Sequence, residues 1–337
     1  MNIRKNVDLK GLNTFGINVK AKNFVEIENE EDLKEIFVSK EYSDKRKFVL
    51  GGGSNILLTK DIEELTLKIS IPGIKVLDED KSFVFVEAGA GVKWHELVEY
   101  CIERNYGGIE NLSLIPGTVG AAPIQNIGAY GQELKDVLFS LNGVFISGGK
   151  AASFNNKECE FGYRNSIFKT ELKGKFVISS VKLKLSKNPE INLSYGNLKD
   201  EFDKLNLAEV TIEDVSAVVS SIRKSKLPDP SITGNAGSFF KNPEVSFDSF
   251  EKLKEKFPGI IGYKKENGFK LAAGWLIEKC GWKGKRIGNA GVHPKQALVL
   301  INYGNASGVE ILELSKKIKE SVKEKFDVNL EYEVNIY

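Results

Sequence analysis

Two glycine-rich segments carry residue types that could hold a large ligand. Between Asn111 and Gln132 the chain has two prolines, four glycines and not one charged residue. A second segment, Gly51–Asn55, reads Gly-Gly-Gly-Ser-Asn and follows the apolar run Phe48–Leu50. Because glycine has no side chain, its N–H and C=O groups can closely approach a flat or anionic ligand. Two such segments on one chain indicate a large bound cofactor.

The uncharged segment 111–132 is long enough to cross a membrane, but its composition argues against a span. Pro116, Pro123 and the four glycines would interrupt any helix, and Gln125 and Asn126 are poorly suited to lipid. We therefore interpret it as an irregular loop whose backbone approaches a ligand.

The segment Gly51–Asn55 matches neither of the common nucleotide-binding motifs. A dinucleotide fingerprint needs Gly-x-Gly-x-x-Gly, and Ile56 stands where the third glycine would be. No Gly-x-x-x-x-Gly-Lys-Ser/Thr sequence is present either. A Rossmann dehydrogenase and a P-loop enzyme are thus disfavoured. A pyrophosphate-binding nest and an ordinary tight turn both stay open for Gly51–Asn55.

Composition narrows the class of protein. The chain has 337 residues, which favours two or three domains, and its 48 basic residues nearly balance 46 acidic ones. We therefore expect neither a nucleic-acid nor a membrane-surface partner. The three cysteines have no metal-ligand spacing, so we expect no metal and reduced, buried thiols. The N-terminus lacks an apolar signal region, which favours a cytoplasmic protein.

Hydrophobic periodicity predicts an α+β protein with a domain boundary within 188–210. A polar connecting loop is predicted over 188–204 and one alternating strand over 328–336. The other predicted strands are Phe24–Ile27, Phe48–Leu50, Leu65–Ile71, Phe83–Glu87, Gly143–Ser147, Phe176–Leu185 and Ala297–Asn302. Helices are predicted over Asp32–Val38, from Trp94 to near Asn105, from Thr211 to Pro228, over Leu271–Cys280, and from Ser307 through Val322.

Six motifs occur in an order that is typical of one enzyme family. The chain closely resembles UDP-N-acetylenolpyruvoylglucosamine reductases, also called UDP-N-acetylmuramate dehydrogenases, over essentially its whole length. The motifs are Asn13–Ile17, Leu50–Leu58, Ile115–Gly131, Phe161–Ser166, Gly234–Pro243 and Gly291–Asn302. One departure is visible, since Tyr332 stands where many members have proline.

The resemblance implies the architecture. It implies a two-part FAD-binding domain of the vanillyl-alcohol-oxidase (PCMH) type over 17–187, with its two subdomains split near residue 70. A C-terminal α/β substrate-binding domain would cover 205–327, and a C-terminal strand, 328–337, would carry a catalytic glutamate.

The resemblance also implies the reaction. NADPH would reduce a non-covalently bound FAD, which would then reduce the enolpyruvyl ether of UDP-N-acetylglucosamine enolpyruvate in peptidoglycan synthesis. The implied partner is this small-molecule substrate, and no obligate protein partner is implied.

Three residues match the family's catalytic positions, and each suits the chemistry. Hydride addition to an enol ether conjugated with a carboxylate produces an enolate, which needs a neutralising charge and then a proton. Arg164 is always charged and can bind a carboxylate with two hydrogen bonds. By resemblance Ser238 is the proton donor, and Glu333 partners the reacting carboxylate system. Without the resemblance, a surface salt bridge, a turn or N-cap serine and a solvated edge carboxylate would be the ordinary roles.

Further site residues follow from the resemblance. Tyr195 resembles the mobile tyrosine of the type I subgroup, which closes over the nucleotide, and Lys226 matches a diphosphate contact. The full substrate-binding set is Tyr130, Tyr195, Arg223, Lys226, Asn242, Tyr263 and Gln296. The cofactor-binding set is Gly51, Gly52, Gly53, Ser54, Asn55, Pro116, Gly117, Gly120, Ala121, Gln125, Asn126, Gly128, Ala129 and Gly131.

Two rival functions stay open at this point. One is another non-covalent flavin oxidoreductase of the same fold, such as a sugar or alcohol oxidase. Covalent members attach flavin through a histidine in the glycine loop, and Gly51–Asn55 has neither histidine nor cysteine. The other rival is a non-catalytic UDP-sugar binding protein, which the presence of Arg164, Ser238 and Glu333 disfavours.

Overall fold

The structure is a computed structural model that describes residues 2–193, 198–205 and 209–337. The chain forms two compact units. The first comprises Met1–Val7, Ala21–Gly52 and Ile62–Arg223, and the second comprises Asp8–Lys20, Gly53–Asp61 and Lys224–Tyr337.

The strands, in chain order, are β1 (Arg4–Asp8), β2 (Lys20–Ile27), β3 (Lys47–Leu50), β4 (Ile56–Leu57), β5 (Ile62–Ile69), β6 (Ile74–Glu79), β7 (Phe83–Gly89), β8 (Gly128–Ala129), β9 (Gln132–Glu133), β10 (Leu138–Phe145), β11 (Ala151–Asn155), β12 (Phe176–Ser186), β13 (Gly234–Ser238), β14 (Glu244–Val245), β15 (Gly262–Lys265), β16 (Gly268–Leu271), β17 (Arg286–Ile287), β18 (Ala290–Val292), β19 (Val299–Asn302) and β20 (Asn335–Ile336). The helices are α1 (Glu30–Val38), α2 (Trp94–Ile102), α3 (Leu198–Asp203), α4 (Ile212–Lys226), α5 (Phe247–Lys256), α6 (Ala273–Lys279) and α7 (Gly308–Phe326).

The first unit contains a four-stranded sheet and a five-stranded sheet. The four-stranded sheet has the order β1-β2-β5-β3, with β5 parallel to β2 and to β3. Helix α1 begins at an N-cap, where the Asn29 side chain accepts from the Asp32 amide, and it buries Leu33, Ile36 and Phe37 against this sheet. The five-stranded sheet, β11-β10-β12-β7-β6, is antiparallel and shares its core with α2.

The second unit is built on small antiparallel sheets. One has the order β13-β19-β18-β17, another has the order β14-β16-β15, and the short strands β20 and β4 pair in parallel. Helix α7 begins at a capping box, in which Ser307 and Glu310 bond each other's backbone amides. Its buried positions, which include Ile311, Leu314 and Ile318, recur at helical spacing and face the core.

The periodicity located α1, α2, α4, α6 and α7 and seven of the strands, and the α+β class is confirmed. All seven predicted internal strands overlap observed ones, and both predicted capping boxes are present, at Thr211 with Asp214 and at Ser307 with Glu310. Helix α5 and the edge strands β6 and β11, whose residues are mostly exposed, were not predicted. Edge strands carry weak hydrophobic patterns because much of their surface meets water.

Two predictions about irregular regions are corrected. The segment 188–204 was predicted as a loop, but it contains α3, whose Leu198 and Phe202 are buried. The alternating strand predicted over 328–336 is wrong as one element: it is regular only at β20, after an isolated bridge at Tyr332. Val328, Leu330 and Val334 are buried as their alternation requires. Alternation thus reports burial, whereas a strand also needs a continuous partner.

Two kinds of feature are absent from the described part of the chain. Across residues 2–193, 198–205 and 209–337, no helix is both long and apolar enough to cross a membrane. Within those ranges no group of three or more His, Cys, Asp or Glu side chains could hold a metal ion.

Candidate active site

The uncharged segment 111–132 lies in the first unit as a series of short 3₁₀ turns, held by backbone hydrogen bonds. The Trp94 amide donates to the Gly117 carbonyl at 3.0 Å, and the Val119 amide donates to the Val92 carbonyl at 2.8 Å. At the other end, Asn111 Nδ2 donates to the Tyr130 carbonyl at 2.9 Å. The segment is therefore a fixed loop, as its glycines and prolines predicted.

Gly51 and Gly52 lie against this loop in the first unit. A Cβ atom added to Gly52 would lie 2.8 Å from Gly117 Cα, and one added to Gly51 would lie 2.8 Å from Thr118 Oγ1. Such distances are too short for a real side chain, so the absence of a side chain allows the two predicted cofactor segments to approach. The structure therefore brings Gly51 and Gly52 together with Gly117.

Thr118 is a residue that the sequence analysis missed at this place. It is 6% exposed, and its Oγ1 is buried without a hydrogen-bond partner within the described residues. A buried hydroxyl normally has a partner, because its desolvation otherwise costs free energy. A hydroxyl of this kind beside two close-packed glycines fits the polar edge of a bound dinucleotide such as FAD. The available signal in the sequence was a single threonine within the otherwise apolar run Gly117–Ala122.

The rest of the glycine loop lies in the second unit, where its conformation has a local cause. Gly53 has a φ of +65°, and a Cβ atom added there would lie 2.0 Å from the Leu12 carbonyl oxygen. The Thr14 amide donates to the Gly53 carbonyl at 3.0 Å. Glycine is thus required at position 53 by the turn and the packing of this unit, as a tight turn would require.

Arg164 occupies a strained position in a tight turn of the first unit. Gly162 and Asn165 exchange two backbone hydrogen bonds, of 3.0 and 3.2 Å, and Arg164 has a φ of +52°. A non-glycine residue in this left-handed region costs on the order of 1 kcal/mol. Its Nη2 donates to the Gly128 carbonyl at 2.8 Å. Backbone strain that is held in place in this way is typical of functional positions.

The Arg164 turn is tied to the uncharged segment by two more hydrogen bonds. Asn126 Nδ2 donates to the Gly162 carbonyl at 3.2 Å, and Ser166 Oγ donates to the Ile124 carbonyl at 2.7 Å. Asn126 is fully buried, so its side chain has a structural role here. These bonds fix the Arg164 backbone against the predicted cofactor segment.

A second arginine adds positive charge near Arg164. Arg223, at the end of α4, donates from Nε to the Leu114 carbonyl at 3.3 Å. Burial lowers the pKa of Arg223, the Arg164 charge lowers this pKa further, and Tyr130 acts in the opposite direction. Two neighbouring guanidinium groups favour an anion, because an anion relieves the repulsion between their charges. The structure thus brings together Tyr130, Arg164 and Arg223, which are all residues of the predicted site.

Ser238 lies in the second unit at the end of β13, immediately after a β-bulge. Asn235 pairs with Ile301 and Ser238 pairs with Val299, so β13 carries one more residue than β19 between these pairs. Gly237, with a φ of +69°, makes the bulge possible. Bulges change the direction of the following side chains and are common at active sites. Ser238 is therefore not the N-cap of a helix, which was its ordinary alternative.

Glu333 lies beside the segment of Ser238, within the second unit. Its amide donates to the Phe239 carbonyl at 2.9 Å, and its carbonyl accepts from Asn55 Nδ2 at 3.3 Å. Glu331 differs from Glu333, because its side chain is 73% exposed and forms a 2.9 Å ion pair with Lys241. This ion pair, through its hydrogen bond and its charge, lowers the pKa of Glu331. The structure therefore brings Ser238, Glu333 and Asn55 together.

The remaining substrate-side residues have less distinctive surroundings. Asn242 Oδ1 accepts from the Ala273 amide at 3.0 Å and so caps α6, while Gln296 Oε1 accepts from the Leu298 amide at 3.4 Å. Tyr263 on β15 is 55% exposed, and Lys226 is exposed at the end of α4. Tyr195 lies outside the described residues.

The other predicted cofactor residues keep some surface exposed to solvent. Pro116, Ala121 and Gly131 are exposed, and the others are partly exposed, namely Ser54, Asn55, Gly117, Gly120, Gln125, Gly128 and Ala129. Gly120 packs closely, since a Cβ atom added there would lie 2.5 Å from the Ala90 side chain. These residues are accessible enough to contact a ligand.

Two protein-family models match different ranges of the chain. The family model of an FAD binding domain matches residues 21–154. The family model of the C-terminal domain of UDP-N-acetylenolpyruvoylglucosamine reductase matches residues 229–337. These matches agree with the predicted fold class, an α+β protein with a flavin domain followed by a second domain.

Relatives and solved structures extend the match to the full length. The chain is 52% identical to UDP-N-acetylenolpyruvoylglucosamine reductase of Flavobacterium johnsoniae, and the alignment covers 100% of both chains. The crystal structure of UDP-N-acetylenolpyruvylglucosamine reductase from Thermus caldophilus has a TM-score of 0.69 at 26% identity, again covering 100% of both chains. 6-Hydroxy-D-nicotine oxidase from Arthrobacter nicotinovorans shares the fold, with a TM-score of 0.51 at 10% identity, over 97% of this chain and 86% of its own.

The identity of 52% extends over the whole of both chains, so the similarity includes the full length of this sequence. The resemblance carried by the six motifs is confirmed, and this chain belongs to the UDP-N-acetylenolpyruvoylglucosamine reductase family.

Proposed function

We propose that this protein uses FAD and NADPH to reduce UDP-N-acetylglucosamine enolpyruvate to UDP-N-acetylmuramate for cell-wall peptidoglycan. The observation that carries the proposal is full-length identity of 52% to a reductase of that name. The site adds chemical support, because Arg164, Ser238 and Glu333 all occupy fixed backbone positions.

The residues of the first unit fit a non-covalent FAD. Gly51 and Gly52 allow the glycine loop to pack against Gly117, and Thr118 offers there a buried hydroxyl that lacks a partner within the described residues. The chemistry that a bound FAD would supply is hydride transfer from NADPH to the enolpyruvyl carbon. FAD binding is assigned to residues 17–187, with two subdomains split near residue 70, and substrate binding to 205–327.

Arg164 binds the substrate carboxylate in this proposal. As charge develops on the enolate, a fixed guanidinium lowers its free energy without having to reorganise. The turn at Gly162–Asn165 and the bond to Gly128 hold Arg164 before substrate arrives. Arg223, whose charge is disfavoured by Arg164, adds a second positive group for the same anion or for the diphosphate.

Ser238 gives the proton that completes the reduction. A serine hydroxyl is a weak acid, but an enolate carbon is a strong base, so a neutral hydroxyl is a suitable donor. Glu333 partners the reacting carboxylate system, from the segment 328–337. Lys226 and Tyr195 bind the nucleotide diphosphate side, which would place the protein in the type I subgroup, and Asn242, Tyr263 and Gln296 complete the substrate contacts. The enzyme acts in the cytoplasm, where its nucleotide substrates are found.

Product analysis tests the proposal. The purified protein, supplied with FAD, NADPH and the enolpyruvyl sugar nucleotide, is expected to give a product heavier by two hydrogen atoms. The product should co-elute with authentic UDP-N-acetylmuramate. A sugar nucleotide that is recovered unchanged from a fully FAD-loaded protein would reject the proposed reaction.

A further inference from the structure

Tyr332 lies at the centre of an aromatic cluster in the second unit. Its ring stacks on Phe240, with centroids 5.7 Å apart and an interplanar angle of 30°, and meets Phe239 edge-on at 5.6 Å and 86°. Phe239 and Phe240 are almost completely buried. Aromatic pairs with these geometries contribute beyond the area that they bury. The cluster therefore fixes the segment 239–240 relative to Tyr332.

The hydroxyl of Tyr332 connects this cluster to α7. Ser315 Oγ, on a fully buried residue of α7, lies 3.2 Å from Tyr332 Oη, and Lys319 Nζ lies 4.4 Å from the centre of the Tyr332 ring. A cation over an aromatic ring is an attractive contact. Tyr332 is thus held by its ring on one side and by its hydroxyl on the other.

The backbone around Tyr332 pairs with the facing segment over a short stretch of the described residues. The Glu333 amide donates to the Phe239 carbonyl, the Lys241 amide donates to the Glu331 carbonyl, both at 2.9 Å, and Phe240 and Tyr332 form an isolated bridge. A contact this short does not by itself fix two segments, because short strand pairs are only marginally stable. The Tyr332 side chain supplies what the backbone pairing lacks.

We propose that Tyr332 is a positioning residue for the reduction: its side chain holds the segment that carries Glu333 against the segment that carries Ser238. Tyr332 is adjacent to Glu333, and its ring partner Phe239 is adjacent to Ser238. Each of the two groups assigned to the reaction is thus one residue from this cluster. The inference rests on the proposed function in so far as Ser238 and Glu333 act on the substrate.

The first test measures position without any reaction. Amide hydrogen exchange of Glu333 and Lys241 is followed in the FAD-loaded wild type and in Tyr332→Ala, Tyr332→Phe and Tyr303→Ala. Tyr332→Ala should speed exchange of both amides about tenfold or more, since exchange follows local opening. Tyr332→Phe keeps the ring and loses only the hydroxyl contact, so exchange about two- to fivefold faster than in the wild type is expected. Tyr303, which is 41% exposed in the same unit, serves as the matched control and should leave both amides unchanged.

The second test measures the consequence for each half-reaction under anaerobic conditions. Tyr332→Ala should slow reoxidation of the reduced flavin by the sugar nucleotide about 10- to 100-fold, because small misplacements of reacting groups are costly. Reduction by NADPH should be unchanged. Should Tyr332→Ala fail to fold, Tyr332→Phe and Ser315→Ala each remove one side of the hydroxyl contact, and both should show the smaller effect on the same amides and on reoxidation.

The outcomes separate this inference from the proposed function. Unchanged amide exchange in the Tyr332 variants would overturn the positioning role. Faster exchange with normal reoxidation, or equal slowing of both half-reactions, would also overturn it. A wild-type protein whose reduced flavin ignores the sugar nucleotide would instead reject the proposed function, and the exchange measurement would still decide whether Tyr332 holds the two segments together.

Discussion

The backbone amide of Glu333 donates a 2.9 Å hydrogen bond to the carbonyl of Phe239, the residue that follows Ser238. Two residues separated by 95 positions in sequence, Ser238 and Glu333, are therefore carried on directly bonded segments of one unit. In the proposed reaction one of them gives a proton and the other partners the carboxylate, so this bond keeps a proton donor and a carboxylate at a fixed backbone spacing.

Removal of the Ser238 hydroxyl should affect only one half-reaction. We expect Ser238→Ala to be reduced by NADPH at the normal rate, because the hydroxyl has no part in that step. Reoxidation by the sugar nucleotide should slow by about 10² to 10⁴, which is the usual contribution of a positioned proton donor. Stopped-flow absorbance of the flavin measures both rates. If both half-reactions slow equally, Ser238 is structural.

Replacement of Arg164 by lysine should weaken substrate binding although the charge is kept. A lysine cannot make two parallel hydrogen bonds to a carboxylate, so we expect the KM for the sugar nucleotide to rise about 10-fold or more. Arg104→Lys is the matched control, because Arg104 is an exposed residue just after α2 and donates to the Tyr100 carbonyl at the end of that helix. Steady-state kinetics measure the KM of both variants. Equal KM values would show that Arg164 does not bind the substrate.

Addition of one methyl group to the glycine loop should reduce FAD binding. In Gly52→Ala the new Cβ would lie 2.8 Å from Gly117 Cα, so the two segments must separate, at a cost of about 1–3 kcal/mol in stability. We expect the purified variant to hold less FAD, as measured by the ratio of flavin to protein absorbance. Gly11→Ala is the control, since no atom beyond its two neighbours in the chain lies within 4 Å of the added methyl. Equal FAD content in both variants would contradict the assignment.

The thiols should be inert in the folded protein. Burial raises the pKa of Cys101 and of Cys159 to about 12, and burial also raises the pKa of Cys280, which is partly exposed. Thiolate is the reactive form, and at pH 8 a group with a pKa of about 12 is ionised to about one part in 10⁴. Thiol titration at pH 8 should detect at most Cys280 in the native protein and three thiols in denaturant. Fast reaction of a second native thiol would show that Cys101 or Cys159 is accessible.

Much of the fold could be predicted because its signals are local. Capping boxes at Thr211 and Ser307, and the apolar spacing of α2 and α7, depend on residues within a few positions of each other. The final segment was mispredicted for the opposite reason. Whether 328–336 forms a strand depends on a partner far away in sequence, which is Phe240 for one bridge and β4 for the last two residues.

The candidate site likewise contains residues that could be predicted from the sequence and residues that could not. Glycine at positions 51 and 52 was visible as a motif, and the structure supplies its reason in the close approach of Gly117. Arg164 and Ser238 could be named only from family resemblance, since a left-handed arginine and a serine after a β-bulge leave no local pattern. Thr118 and Tyr332 were missed as site residues because their roles depend on what the fold packs around them.

Anaerobic consumption of NADPH is the most direct measurement of the central claim. The purified, FAD-loaded protein is mixed with NADPH, with and without UDP-N-acetylglucosamine enolpyruvate. We expect only a stoichiometric reduction of the flavin without the sugar nucleotide, and sustained turnover once it is added. A yellow protein whose NADPH consumption is the same with and without this substrate would contradict the account and would favour another flavin oxidoreductase of the same fold.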